Sequence, residues 1–241
     1  GAMAERIKLW PFFLFAAILA GIIYPIVMGW QWGGGWLAAA GFSDFAGSTL
    51  VHSTGGSAAL AGALLLGSRT GRFDAKGVPK ALQPFAASSV PLVTLGVFVL
   101  WLGWFGFNGG SELVISDEAS AIAVSQVFLN TNMAAAGGVI GALILSLILT
   151  EKSDVTMVIN GAIAGLVAIT AGPSAPSGGE AVIIGLIGGL IVYASILFFD
   201  RTLKIDDPVG AISAHGIVGI FGVMVVPFTN ADASLLTQLY G

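Results

Sequence analysis

The sequence predicts an all-α membrane protein, a polytopic bundle of transmembrane helices with inverted-repeat character, and three observations lead there. Of 241 residues, 56% are hydrophobic and only 9% charged, with a mean hydropathy of +0.94, far more apolar than an ordinary soluble domain. The positive charges sit in every second connection between apolar stretches. Two similar strings, "DFAGSTLVH" at residues 44–52 and "DPVGAISAH" at 207–215, place the two histidines of the chain in one frame, each eight residues after an Asp.

Seven apolar stretches have roughly spanning length, about 17 to 25 residues each, and they fall at 9–30, 45–67, 91–107, 119–149, 155–171, 181–199 and 209–228. The first follows Arg6 and Lys8. The second opens just after Asp44 and runs into the basic segment 69–80. The fourth is long and interrupted by the polar "NTN" at 130–132; Lys152 follows it, Arg201 and Lys204 follow the sixth, and the seventh opens just after Asp207. Nothing at the N-terminus has the form of a cleaved secretory signal, and residues 1–241 read as one membrane domain with no soluble module attached.

All nine Lys and Arg lie before stretch one or after stretches two, four and six. Cytoplasmic loops carry such an excess. This predicts a multi-pass protein of the cell membrane with the N-terminal end of the chain cytoplasmic and the C-terminal end extracellular or periplasmic. It puts "GWQWGGGWLAAAGFS", "NGGSELVISDE" and "GPSAPSGGE" outside. The membrane lipid is thus the main surrounding partner. The net charge of -4 argues against a nucleic-acid partner, and the absence of cysteine excludes disulfides and thiolate metal sites.

The shared frame of the histidines has a geometric meaning. The second stretch runs inward and the seventh outward, so His52 and His215 each lie about 12 Å in from opposite faces. In a hydrocarbon core about 30 Å thick, both reach the midplane. One motif read in opposite membrane directions is what an inverted-topology repeat produces. An unpaired imidazole is costly at that depth, which favours two rings facing each other or a shared cavity; the bland alternative is a polar contact of each within the bundle. Asp44 and Asp207 read as structural residues near this site, capping orphan backbone N–H groups where a helix opens.

Two facing neutral imidazoles offer one donor and one acceptor nitrogen each, so they can relay a proton or hydrogen-bond a small polar solute. They could equally be two axial haem ligands. Gly and Ala abound beside both histidines, which lets helices approach closely and favours a narrow conduit over a slot for a macrocycle.

The strings "GAMAERIKLWPF", "WGGG" at 32–35, "DFAGSTLVH", "LWLGWFGFNGGS" at 100–111 and "LKIDDPVGAISAHGIVGIFG" at 203–222 resemble, in order, those of the ammonium transporter and Rhesus protein family. The resemblance implies an ammonium channel or transporter, not an enzyme. It implies a homotrimer with one pore per subunit, ammonium or ammonia as the substrate with methylammonium as its analogue, a possible cytoplasmic regulatory protein, and neither cofactor nor metal. By that resemblance His52 and His215 line the pore, Trp32 and Ser111 recruit the cation in an outer vestibule, and Phe107 is one of two stacked gating phenylalanines. Family members have about eleven helices of spanning length, so the chain reads as a partial sequence without the first helices and the last.

These roles fit the chemistry of the residues. An indole face attracts a small cation by about 1 to 2 kcal/mol when partly desolvated, and a hydroxyl oxygen accepts one of its N–H groups. An apolar constriction makes the intact cation expensive and NH3 the cheap species to move. The bland reading of Trp32 and Phe107 is an interfacial or core aromatic. Rival functions are an ammonium sensor on the same fold and a bis-histidine haem membrane protein. A water or polyol channel would want Asn-Pro-Ala repeats, which this chain lacks.

Overall fold

A computed structural model describes residues 1–74, 77–79 and 87–241. Lys76 and Lys80 of the basic segment lie outside the described residues. The chain runs through α1 (Leu9–Ala39), α2 (Ser48–Leu66), α3 (Val90–Gly110), α4 (Glu118–Thr150), α5 (Val155–Ile169), α6 (Gly178–Thr202), α7 (Ile212–Thr229) and the short α8 (Leu235–Tyr240). Among the described residues, six of these are long and apolar enough to cross a membrane. The chain is a multi-pass α-helical membrane protein.

Two sequence expectations change in detail. The polar "NTN" does not interrupt the fourth stretch: α4 is one helix of 33 residues, opened by a capping box in which Asp117 accepts from the backbone N–H of Ser120. Asn130 and Thr131 are fully buried within it because their side chains find partners, Asn130 donating to the carbonyls of Pro173 and Pro176 and Thr131 accepting from Asn108. The fifth stretch forms a helix of 15 residues, short for a span. Its residues Gly161 to Ile169 are all buried, so its apolar character answers to protein neighbours rather than to lipid.

Those neighbours are α4 and α6. Ala134, Ala135, Leu166, Val167, Ile169, Val192 and Val218 form a nearly sealed core among α4, α5, α6 and α7. No Cβ fits at Gly138 or Gly161, where the backbones of α4 and α5 meet directly. By contrast, the apolar window of α1 has no buried residue, and Leu9, Trp10, Leu14, Ile22 and Ile26 point outward.

The basic segments before α1, after α2 and before α7 converge at one end of the bundle. Arg6 reaches the carbonyls of Ala2, Gly67 and Asp206, Arg69 pairs with Asp206 at 2.9 Å, and Arg72 pairs with Asp200. Arg6, Arg69 and Arg72 thus converge on Asp200 in the last turn of α6 and Asp206 in the connection between α6 and α7.

Candidate functional site: a histidine pair among aromatic rings

His52 and His215 each lie in a π-helical turn, at Ser48–Ser53 and Ile212–Ile217 respectively. Such turns widen the helix by one residue and recur at functional sites. The Asp-to-His frame explains both. The chain enters each turn through a glycine with positive φ, Gly47 at 107° and Gly210 at 72°, a conformation that L side chains avoid. The preceding Asp then takes up the freed N–H groups. Asp44 accepts from the backbone N–H of Gly47, Ser48, Thr49 and Leu50 at 2.7 to 3.1 Å, and Asp207 accepts from Ile212 at 2.7 Å. Both carboxylates cap, as the sequence indicates.

The rings meet. His52 Nδ1 and His215 Nδ1 stand 3.2 Å apart, within hydrogen-bonding distance. The two helices approach this closely because Gly56 lies directly on Gly216, where a Cβ would collide with backbone. Hydroxyls stitch the contact: Ser53 donates to Gly216 O at 3.0 Å and Ser48 to the carbonyls of Val167 and Gly219. An iron held between two axial imidazoles at about 2 Å each would keep their nitrogens about 4 Å apart on opposite sides of a macrocycle. The direct 3.2 Å contact does not fit that arrangement, and the haem alternative is set aside.

One side of the pair is aromatic. Trp104 stacks on His52 with ring centroids 4.9 Å apart and planes 22° from parallel, and Phe107 lies 5.5 Å from the same imidazole. Trp104 is not among the residues that the sequence singles out. The signal was present, since Trp104 and Phe107 are three apart on one helix and share a face. Beneath Trp104 a buried polar chain continues: its Nε1 donates to Thr170 Oγ1 at 3.0 Å, Thr170 contacts Asn108 Oδ1 at 3.3 Å, and Asn108 Nδ2 donates to Thr131 at 3.0 Å. Thr170 and Thr131 carry no sequence signal for this, because their partners come from other helices.

His52 Nε2 is buried without a partner. A cleft of about 280 Å³ has both histidines in its wall, together with Met3, Phe15, Leu19 and Gly55. Between the rings, one Nδ1 must donate and the other accept. The donor ring is then left with an Nε2 lone pair and the acceptor ring with an Nε2–H. The pair therefore keeps one acceptor and one donor nitrogen beyond its own hydrogen bond.

Of the other residues singled out, Phe107 joins the histidine cluster, whereas Trp32 and Ser111 have their own local settings. Trp32 lies at the turn within α1, is 41% exposed, and donates from Nε1 to Asp44 O at 3.0 Å. Ser111 follows α3 and donates its hydroxyl hydrogen to Phe107 O at 2.9 Å, which leaves its oxygen lone pairs available.

The sequence pattern of the Ammonium Transporter Family matches residues 1–240. The chain is 40% identical over 236 residues to the ammonium transporter Amt2 of Archaeoglobus fulgidus, covering 94% of this chain and 49% of that protein. It is 36% identical over 222 residues to an ammonium transporter of Bacillus subtilis, covering 92% of this chain and 51% of that one. Among solved structures it is similar to a protein described as a sensor Amt protein, with a TM-score of 0.91, 40% identity, and coverage of 100% of this chain and 61% of that chain. Mep2 of Candida albicans gives a TM-score of 0.85 at 32% identity, with 99% and 55% covered. The chain spans about half the length of these curated relatives.

Proposed function

This chain belongs to the ammonium transporter family, and on that premise we propose that it carries the conduction site of an ammonium channel or transporter. The observation that carries the reading is the His52–His215 pair, joined at 3.2 Å and flanked by Trp104 and Phe107. In this reading NH4+ is first held against the exposed face of Trp32, with the Ser111 hydroxyl oxygen accepting one N–H. Phe107 guards the way inward. Past it, an apolar wall strips water from the ion, and the charged form becomes far more costly than NH3. The proton is left behind or passed separately. NH3 then meets the histidine pair, where one Nε2 accepts from it and the other donates to its lone pair.

The same reading places the end rich in Arg and Lys on the cytoplasmic side, with the C-terminal end of the chain outside. It also takes the assembled protein to be a homotrimer open to a cytoplasmic regulatory partner. The test is transport. In liposomes the wild-type protein is expected to give ammonium-dependent uptake or current without added cofactor. His52→Asp or His215→Asp is expected to raise current carried by the intact cation, because a midplane carboxylate holds a cation electrostatically where neutral imidazoles offer only hydrogen bonds. Unaltered selectivity in both variants would sink the role given to the pair.

A second reading is an ammonium sensor, favoured by the similarity to a sensor Amt protein at a TM-score of 0.91. Protein that binds ammonium but moves it in neither form would decide for it.

A further inference from the structure

Residues 42–46 form the link between the recruiting indole and the histidine cluster, and nearly every peptide along it is held by a different part of the chain. Phe42 O accepts from Gln31 Nε2 at 2.7 Å, and Asp44 O accepts from Trp32 Nε1 at 3.0 Å. The N–H groups of Phe45 and Ala46 donate to the carbonyls of Ala171 and Thr170 at 2.8 and 3.0 Å. Ser43 lies between these anchors and takes its partner from α8, 195 residues away. Its N–H donates to Gln238 Oε1 at 2.8 Å, and its carbonyl accepts from Gln238 Nε2 at 2.7 Å. The second hydrogen on Nε2 goes to Val223 O in α7 at 3.0 Å.

Gln238 is 2% exposed, so its amide is buried at an expense that only full pairing offsets. Simple packing of α8 would be served as well by leucine. What the amide adds is direction, because antiparallel bonds to the N–H and the carbonyl of one residue fix the orientation of the peptide groups on both sides of its Cα as well as their position. Asp44 O is the next carbonyl along. It holds the polar edge of Trp32, whose own helix breaks at the neighbouring glycines. We propose that Gln238 is a positioning residue for cation recruitment: by clamping the peptide groups on both sides of Ser43 to α7 it fixes Asp44 O, and through it the Trp32 indole face. This rests on the recruiting role given to Trp32 above.

The test is methylammonium uptake across a concentration series in cells expressing the protein, with rates divided by the amount of assembled protein. Gln238→Met keeps the length of the side chain and removes all three hydrogen bonds. It is expected to raise the half-saturation concentration about two- to five-fold, the worth of one partly exposed cation–π contact, with the saturating rate per protein unchanged. Combined with Trp32→Leu it should add nothing further. An unchanged half-saturation concentration, or shifts that multiply in the double variant, would overturn the inference. If Gln238→Met fails to assemble, Gln238→Glu decides. Its protonated form restores a donor to Ser43 O, so its half-saturation concentration relative to wild type should fall as the outer pH is lowered, and a flat ratio overturns the proposal. Trp32→Leu alone separates the two claims: if it shifts and Gln238→Met does not, recruitment by Trp32 stands and the positioning role of Gln238 falls.

Discussion

Thr170 joins the aromatic wall of the histidine site to the polar interior of the bundle. Its Oγ1 accepts from Trp104 Nε1 and also contacts Asn108 Oδ1 and Leu166 O, all in fully enclosed surroundings. Thr170→Val preserves shape and strands the indole N–H, which costs about 1 to 3 kcal/mol. Thermal unfolding in detergent is the measurement. In a Trp104→Phe background the same substitution is expected to cost clearly less, because the stranded donor is already gone; equal cost in both backgrounds would mean that the bond contributes nothing.

At the scale of elements, the contact between α2 and α7 depends on close approach. Gly56→Ala puts a methyl into the backbone at Gly216, and small-to-large changes of this kind cost about 1 to 3 kcal/mol. It also pushes His52 away from His215, so both stability and ammonium flux should fall. Gly103 in α3 has open space around it, and Gly103→Ala is expected to be neutral or to stabilise by up to about 1 kcal/mol through helix propensity. A comparison of melting temperatures for the two variants checks the pair of expectations. Similar losses in both would show that close approach at Gly56 is not special.

At the scale of the molecule, the segment between α6 and α7 ties the basic end together through Asp206, which meets Arg69, Arg6 and Arg72. Burial pushes its carboxyl up, but the hydrogen bonds and charge of Arg69, helped by Arg6, more than offset this and hold it below its ordinary value of 3.8. A depressed carboxyl contributes stability that is present above its unfolded value and is lost as pH falls through the folded one. Detergent-solubilised protein should therefore hold its Asp206-dependent stability at neutral pH and lose it only below about pH 4. Asp206→Asn should lower the melting temperature at pH 7 and flatten that acid-side loss. An unchanged acid profile would assign the loss to other carboxyls.

By itself the sequence determined the membrane class, the apolar stretches and the shared Asp-to-His frame of the two histidines. These follow from quantities read along the chain: hydropathy over a spanning length, charge per connection, and an eight-residue Asp-to-His interval that occurs twice. The Asp44 and Asp207 caps were legible for the same reason, since each acts on backbone a few residues ahead. Only the tertiary structure decided what surrounds the pair. Trp104 against His52, Thr170 under Trp104, and Gln238 on Ser43 are contacts between helices far apart in sequence. No local period encodes them, because which buried polar groups meet depends on how the helices cross. Likewise "NTN" looked like an interruption until Pro173, Pro176 and Asn108 supplied its partners. A polar residue in an apolar helix is a defect or an anchor according to what the neighbouring helix brings to it.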